Sequence, residues 1–472
     1  MTDKMLKFVK LDQQNPPKRK VLDRKEDFNE IYSEFINEKA KEQSSRCSQC
    51  GVPFCQVHCP LSNNIPDWLK LTAEGRLKEA YELAQSTNNM PEVCGRICPQ
   101  DRLCEGNCVI EQSGHGTVTI GSIEKYITDT AWEKGWIKPI KVLKEINQSI
   151  GIIGAGPAGL ACAEELKKNG YQVTIYDRYD RAGGLLIYGI PNFKLEKFVV
   201  ERRTNLLKKG GIKFIQNFEV GKDATLSELK EKHDAILIAT GVYKAREIEI
   251  PGSNLENIFP AMDFLTASNK KGLGDKVELF DDGTLNVDGK DVIVIGGGDT
   301  AMDCVRTAVR QNAKSVKCLY RRDRENMPGS AREVSNAEEE GVEFIWLSNP
   351  KKFLGKIIIA AFFSILVAGS TSSIAWLLDP AIEKIFVEKD QTLIFIIPML
   401  IIIAFTTKGI SLYLAKSTMI GVGEEVKKML QQDMLKSFIQ ADTQFIENKH
   451  TGKYISNLTF DVSKICLLYT SP

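Results

Sequence analysis

The sequence predicts a multidomain protein: an α-helical, cysteine-rich region, then two α/β folds built on parallel sheets, then an all-α helical hairpin. Three observations carry this prediction. Eight of the twelve cysteines lie between Cys47 and Cys108, two copies of a strand, glycine-rich turn and helix follow, and two long uncharged runs begin after residue 355. At 472 residues the chain is also long for a single domain.

The eight cysteines form two runs with short gaps. They are Cys47-x2-Cys50-x4-Cys55-x3-Cys59, which is followed by Pro60, and Cys94-x3-Cys98-x5-Cys104-x3-Cys108. Thiolates with such spacing can converge on one iron–sulfur cubane from a single loop, and a Cys-Pro ending is typical of bacterial ferredoxin runs. Because eight thiolates can hold two clusters, the pattern predicts an electron-transfer protein.

Two other interpretations of these cysteines stay open. Disulfides need an oxidising compartment, but residues 1–20 are charged and lack the apolar stretch of a secretory signal. Structural zinc is the stronger alternative, since Cys47-x2-Cys50 is also a zinc-knuckle spacing. The second run argues against zinc, because its gaps do not repeat the CxxC pair.

The first α/β fold begins with an apolar strand at residues 149–154. A helical pattern at residues 160–169 and a second strand at residues 172–177 follow the turn. The turn carries three glycines, Gly154, Gly156 and Gly159. Such a turn lets backbone amides approach a pyrophosphate at a helix N-terminus. Asp177, at the end of the second strand, is predicted to bind ribose hydroxyls, which completes a dinucleotide fingerprint.

A second copy begins at residues 291–295 and continues into a helix that ends near residue 312. Its next strand, residues 315–320, ends in Arg321 and Arg322, where an NAD site would place an acid. Guanidinium groups suit a 2′-phosphate, so this copy favours NADP(H). The alternative is that both arginines belong to an ordinary solvated charge cluster with Arg324.

Together these motifs resemble the small (β) subunit of bacterial NADPH-dependent glutamate synthase over residues 1 to about 354. The matching stretches are RCSQCGVPFC at 46–55, GGLLIYGIP at 183–191, GGGDTAMD at 296–303 and YRRDRENMP at 320–328. The resemblance implies FAD, NADPH and two [4Fe–4S] clusters, with electrons delivered to a large (α) subunit that makes glutamate. It also implies a cytoplasmic location and no side chain acting as acid, base or nucleophile. A net charge of +1 without a basic stripe gives no reason to expect nucleic acid as a partner.

The resemblance also implies the residues of each site. One cluster takes Cys47, Cys50, Cys55 and Cys108, and the second takes Cys59, Cys98 and Cys104, with Glu124 or Cys94 as the fourth ligand. The FAD residues are Gly154, Gly156, Gly159, Asp177, Gly184 and Leu185. The NADPH residues are Gly296, Gly298, Asp299, Thr300, Arg321 and Arg322.

The family pattern should continue well past residue 354, but two apolar runs follow, at residues 357–378 and 391–407. The first is long enough to span a bilayer, and the second extends towards Ala415. Lysines flank the outer ends, which predicts that both ends face the cytoplasm. A buried core helix is the alternative for either run.

Residues 356–465 resemble the first transmembrane pair and the following cytoplasmic helix of a lipid-exporter-type ABC transporter, through GEEVKKML at 423–430 and FIENKHTG at 445–452.

The predicted domains are therefore 1–145 (iron–sulfur), 146–285 (FAD), 286–354 (NADPH, truncated), 355–465 (transmembrane) and 466–472 (unassigned). Residues 357–415 are expected in the inner membrane. We expect the oxidoreductase part to be inactive as written. The alternatives are an exporter fragment and an artificial join of two gene fragments.

Overall fold

The chain divides into two units, Met1–Asn349 and Pro350–Pro472. The computed structural model describes residues 5–35, 37–242, 255–347, 354–380 and 393–439. The segment that joins the units, the loop between the two apolar runs, the motif at 445–452 and the tail at 466–472 lie outside the described residues.

The N-terminal region is helical, as predicted. Its helices are α1 (Val21–Glu26), α2 (Asn37–Ser44), α3 (Phe54–Val57), α4 (Ile65–Glu74), α5 (Leu77–Gln85), α6 (Pro91–Ile97), α7 (Val109–Gln112) and α8 (Ile120–Glu133). Trp68 of α4 packs in the core with Ile123 and Ile127 of α8, and all three side chains are fully buried. The Trp68 indole N–H donates to Asn63 Oδ1 at 3.1 Å, so its polar atom is satisfied. This core supports the loops that carry the cysteines.

The first α/β fold contains the strands predicted at 149–154 and 172–177. Its elements are β1 (Ser149–Ile153), α9 (Pro157–Lys168), β2 (Gln172–Tyr176), α10 (Leu185–Tyr188), α11 (Lys197–Lys209), β3 (Lys213–Ile215), α12 (Leu226–Lys232) and β4 (Ala235–Ile238). The strands are parallel, in the order β3-β2-β1-β4. The carboxyl end of β1 therefore lies between neighbouring strands, where doubly wound folds bind dinucleotides.

The second α/β fold follows two connecting helices. The elements are α13 (Ala261–Gly272), α14 (Glu278–Asp281), β5 (Asp291–Ile295), α15 (Asp299–Arg310), β6 (Ser315–Leu319), α16 (Ala331–Glu339) and β7 (Glu343–Ile345). The sheet is parallel in the order β5-β6-β7. The strands predicted at 291–295 and 315–320 are present, and α16 and β7 add one more helix and strand before residue 347 that the sequence did not predict.

Apolar side chains are exposed on both sheets. Ile293 and Ile295 of β5 are 61% and 45% exposed, and Ile238 of β4 is 63% exposed. Parallel sheets are normally covered on both faces. Within the described residues, one face of each of these strands therefore lacks the layer that a doubly wound fold provides.

The second unit consists of two helices that pack against each other, α17 (Leu354–Pro380) and α18 (Leu393–Ile439). Small buried side chains, among them Ala404 and Ser411, let the helix backbones approach closely. By length and composition, the segment Phe395–Gly421 suffices to cross a membrane, while the apolar stretch Ile359–Ile374 is shorter.

A buried ionic network ties the N-terminal segment to the second α/β fold. Arg306 donates to Glu333 at 2.6 Å and to Glu340 at 2.9 Å, and Arg310 donates to Glu340 at 2.7 Å. Arg24 from α1 lies 3.3 Å from Glu340. Burial raises the pKa of Glu333, but Arg306 and Lys194 outweigh it and hold that pKa at about 2.

We predict that Glu333→Gln destabilises the first unit by about 3 kcal/mol at neutral pH, because buried cations lose their carboxylate. The pKa of Glu333 in the folded state lies below its ordinary value of about 4.5. Its contribution is therefore complete above about pH 4.5 and is lost as the pH falls towards about 2.

Urea unfolding of the detergent-solubilised chain across this pH range measures the effect, with exposed Glu325→Gln as the matched control. A Glu333→Gln variant whose stability declines with acid as steeply as the wild type contradicts the prediction.

Candidate iron–sulfur and dinucleotide sites

The structure brings together Cys47, Cys50, Cys55 and Cys108, the four residues expected at one cluster. Burial, followed by the neighbouring Cys47 and Cys108, raises the pKa of Cys55 to about 12. Burial raises the pKa of Cys47 as well, and Cys108 and Cys50 raise it further. Cys108 is the residue before α7, so a cysteine of the second run lies near three cysteines of the first.

Two residues that the sequence analysis did not identify support this group. Gln49 has a left-handed backbone (φ 53°), and its side-chain amide donates to Cys47 Sγ at 3.3 Å and to Pro66 O at 2.7 Å. The fully buried Arg46 guanidinium donates to the carbonyls of His115 at 2.7 Å and Gly116 at 2.8 Å. Arg46 thus ties the first run to the segment that follows Cys108, and no sequence pattern marks this contact.

A second group contains the residues expected at the other cluster. Burial raises the pKa of Cys104 well above its ordinary value, and the nearby Glu105, Glu124 and Cys59 raise it further. A hydrogen bond with Cys98, with burial second, raises the pKa of Cys94. This group draws on both runs and borders the first, since Cys55 also raises the pKa of Cys104.

Both candidates for the fourth ligand lie in this second group. Burial, with Cys94 second, raises the pKa of Glu124 well above its ordinary value. Asn88 bridges the two, since its Nδ2 donates to Glu124 Oε1 at 3.1 Å and its Oδ1 accepts from Cys94 Sγ at 3.7 Å. The geometry leaves Glu124 and Cys94 as alternatives.

The chemistry of these donors suits a metal cluster. Buried, crowded thiols are unfavourable as free thiolates, and a cationic centre would stabilise them in that form. Among the described residues, no three His, Cys, Asp or Glu side chains lie close enough for one metal ion. A cubane needs wider spacing, because each ligand binds a different iron atom. All eleven cysteines in the described part are free.

Two of the three glycine positions in the first turn have no room for a Cβ atom, and the third faces open space. A Cβ on Gly154 (φ +110°) would lie 2.4 Å from the Ala239 carbonyl oxygen, and one on Gly159 would lie 2.0 Å from the Gly154 oxygen. A Cβ on Gly156 would meet nothing within 4 Å. Gly156 therefore faces open space at the N-terminus of α9, where a pyrophosphate can approach the backbone.

The other residues expected at FAD border this turn. The Asp177 carboxylate is buried and accepts the N–H groups of Ala155 at 2.5 Å and Tyr179 at 2.8 Å. Asp177 thus shapes the turn, and its contact with ribose stays a prediction. Gly184 precedes α10, and Leu185, its first residue, is 38% exposed.

The second turn repeats the open arrangement. A Cβ on Gly298 would meet nothing within 4 Å, and Gly296 has φ +145°. Asp299 Oδ1 accepts the Ser330 N–H at 2.9 Å. Thr300 lies in the first turn of α15.

Arg321 and Arg322 follow the carboxyl end of β6, next to the strand that leads into Gly296. Arg321 is exposed and Arg322 is half-buried. Both residues are at the sheet edge that the sequence predicted, and their contact with a 2′-phosphate stays a prediction.

Family comparisons assign a class to this combination. Residues 24–136 match the family described as dihydropyrimidine dehydrogenase domain II, 4Fe–4S cluster. Residues 148–367 match pyridine nucleotide-disulphide oxidoreductases, and residues 357–471 match the ABC transporter transmembrane region. The fold and sites of the first unit thus define an iron–sulfur, dinucleotide-dependent oxidoreductase.

Individual relatives narrow the class further. The chain is 67% identical over 356 residues to the glutamate synthase [NADPH] small chain of Azospirillum brasilense, covering 75% of this chain and 74% of the relative. It is 49% identical over 344 residues to the Escherichia coli K12 small chain, covering 73% and 72%. The chain belongs to the glutamate synthase [NADPH] small-chain family.

A solved structure, Mycobacterium tuberculosis FprA in complex with NADPH, matches at 21% identity with a TM-score of 0.35, covering 41% of this chain and 48% of that one. This likeness is too weak to support an argument. The predictions of an oxidoreductase with FAD, NADPH and [4Fe–4S] clusters, and of an ABC transmembrane likeness after residue 355, are confirmed by the family comparisons.

Gly156 and Gly159 of the first turn allow a matched test of which glycine the fold itself requires. We predict that Gly159→Ala destabilises the first α/β fold by roughly 3 kcal/mol, because the added methyl overlaps a backbone oxygen. Gly156→Ala should change stability by no more than about 1 kcal/mol, since its methyl enters open space. Hydrogen exchange of the β1 and β2 amides measures both. Equal losses in the two variants contradict this geometry.

Proposed function

We propose that residues 1–354 form an NADPH-oxidising unit that delivers electrons through FAD and two [4Fe–4S] clusters to a glutamate synthase large subunit for glutamate synthesis. The observation that carries the proposal is the coexistence, in one unit, of eight clustered cysteines from two runs and two open dinucleotide turns. The names of the relatives support the assignment to glutamate synthase. We also propose that this unit works in the cytoplasm.

The cluster ligands we propose are the two groups described above. Cys47, Cys50, Cys55 and Cys108 hold one cluster, and Cys59, Cys98, Cys104 and Glu124 hold the other. Cys94 is the alternative to Glu124, since both contact Asn88. The crossed arrangement is supported by the proximity of Cys108, from the second run, to Cys47 and Cys55 of the first run.

In this mechanism the side chains bind and orient, and none needs to act as an acid, base or nucleophile. When bound, FAD and the clusters supply hydride acceptance and single-electron transfer. The amides at Gly154–Gly156 and Gly296–Gly298 receive the pyrophosphates at the N-termini of α9 and α15. Arg321 and Arg322 bind the 2′-phosphate that distinguishes NADPH from NADH.

We propose that the oxidoreductase part lacks the C-terminal portion that the chains of its family have. The family match covers about three quarters of the relatives' length. The exposed faces of β4 and β5 support a missing layer, because Ile238 and Ile293 each stand more than half exposed. We therefore propose the domain limits 1–145, 146–285 and 286–354, the last two being incomplete.

A second function is favoured by one observation. The segment Phe395–Gly421 is long and apolar enough to cross a membrane, and the match to the ABC transporter transmembrane region covers it. Residues 355–465 are thus proposed as an exporter membrane fragment, with 357–415 in the inner membrane and 466–472 unassigned. An artificial join of two gene fragments accounts for both halves.

The function is tested by NADPH-dependent dye reduction. The 472-residue chain should show no dye reduction above background. Its flavin site is incomplete in our proposal, and exposed apolar sheet faces favour aggregation. A chain whose residues after 354 are replaced by the C-terminal portion of a close relative should be active. Flavin-replete, NADPH-oxidising protein from the 472-residue chain overturns the truncation proposal, and an inactive completed chain overturns the function.

We predict that Arg321→Ala combined with Arg322→Ala raises the KM for NADPH by at least tenfold in the completed chain. Each guanidinium can donate charge-assisted hydrogen bonds to a 2′-phosphate, and each such bond contributes about 1.5–3 kcal/mol. Steady-state kinetics with NADPH and NADH measure the effect, and Arg324→Ala is the control. If both cofactors lose affinity equally, these arginines do not bind the phosphate.

A further inference from the structure

The loop that carries Cys98 and Cys104 also contacts the second α/β fold. Three consecutive residues between these cysteines, Gln100, Asp101 and Arg102, each reach the segment 327–332. This contact connects a proposed cluster ligand loop to the fold proposed to bind NADPH.

Asp101 and Arg102 bind the backbone of that segment. The Arg102 guanidinium donates to the carbonyls of Met327 at 2.6 Å and Gly329 at 2.8 Å. One Asp101 oxygen accepts the Ala331 N–H at 2.9 Å, and the other lies 3.1 Å from Ser330 Oγ. Asp101 therefore caps the first turn of α16, while Arg102 holds two carbonyls of the loop that leads into it, those of Met327 and Gly329.

Gln100 adds a buried connection to the same contact. Its side-chain oxygen accepts from Arg332 at 2.9 Å, and its side-chain N–H donates to the Cys94 carbonyl at 3.0 Å. Gln100 is 3% exposed, so this bridge between α6 and α16 is shielded from water.

The opposite side of the same segment holds the second glycine turn. The Gly329 N–H donates to the Gly297 carbonyl at 2.7 Å, and the Ser330 N–H donates to Asp299 Oδ1 at 2.9 Å. Gly329 and Ser330 thus take part in both contacts: one faces the cysteine loop and the other faces the turn.

We propose that Asp101 and Arg102 are positioning residues for the second dinucleotide turn, so that filling the second cluster strengthens NADP(H) binding. The inference deepens the proposed function and rests on it for the identity of the two ligands. By thermodynamic linkage, bound NADP⁺ must then strengthen metal binding at the second cluster by the same factor by which the metal strengthens NADP⁺ binding.

The experiment uses hydrogen exchange of the full chain in detergent, without metal and after anaerobic reconstitution with iron and sulfide. Wild type, Asp101→Asn, Arg102→Met and Arg102→Lys are compared. Arg76→Met is the matched control, since Arg76 is an exposed arginine of the same region that pairs with Glu74 and Glu79.

In the metal-free chain, Arg102→Met and Asp101→Asn should speed exchange of the Gly329 and Ser330 amides roughly tenfold and leave the β1 amides unchanged. Arg102→Lys should restore part of the protection, because it keeps one charged donor. Unchanged protection in both variants, or equal losses at β1 and at Gly329, overturns the positioning role.

Iron loading should slow exchange at Gly329 and tighten NADP⁺ binding several-fold in wild type and in Arg76→Met, but not in Arg102→Met. An identical iron response in wild type and Arg102→Met overturns the coupling. Failure to take up iron counts instead against the proposed cluster ligands, and failure to bind NADP⁺ supports the proposed incompleteness of the second α/β fold. In either case the metal-free comparison decides the positioning role.

Discussion

The packing of eight cysteines into one small helical region is the constraint on which the rest of the first unit depends. Cys47 and Cys108 are buried and Cys55 and Cys104 are half-buried, and burial is the main cause that raises the pKa values of Cys55 and Cys104. A bound metal cluster would hold such thiols as thiolates, and ligand binding would then contribute to the free energy of folding. The short helices α3 and α7 are consistent with this, since each consists of four residues beside a ligand.

The dinucleotide folds obey a different constraint, which is close backbone approach. Gly154 and Gly159 are required by atoms already present, whereas Gly156 and Gly298 leave space that a ligand can use. Within the described residues, Ile238 of β4 and Ile293 of β5 are more than half exposed, although the neighbouring glycine turns are well formed. Site geometry and sheet packing are therefore separate questions in this chain.

Local sequence signals predicted the parts of the structure that depend on local chemistry. The strands at 149–154 and 291–295 and their turns follow from apolar runs that end in glycines. Spacing singled out the two cysteine runs, whereas the crossed grouping of their residues came only from the family resemblance. The strand at Glu343–Ile345 was missed, since it has three residues and little apolar character. Long-range contacts were missed as well. Arg46, Gln100 and Arg102 act through carbonyls and side chains far along the chain, and such partners leave no pattern in one sequence.

The most direct test of the central claim, that two cysteine groups hold two [4Fe–4S] clusters, is Mössbauer spectroscopy of the ⁵⁷Fe-labelled chain purified anaerobically. The account predicts about eight iron atoms per chain, all in cubane signals, with broad charge-transfer absorption in the visible range. Stoichiometric zinc without visible absorption would contradict it, as would four irons that persist after Cys47→Ser and Cys108→Ser are combined with Cys59→Ser and Cys104→Ser.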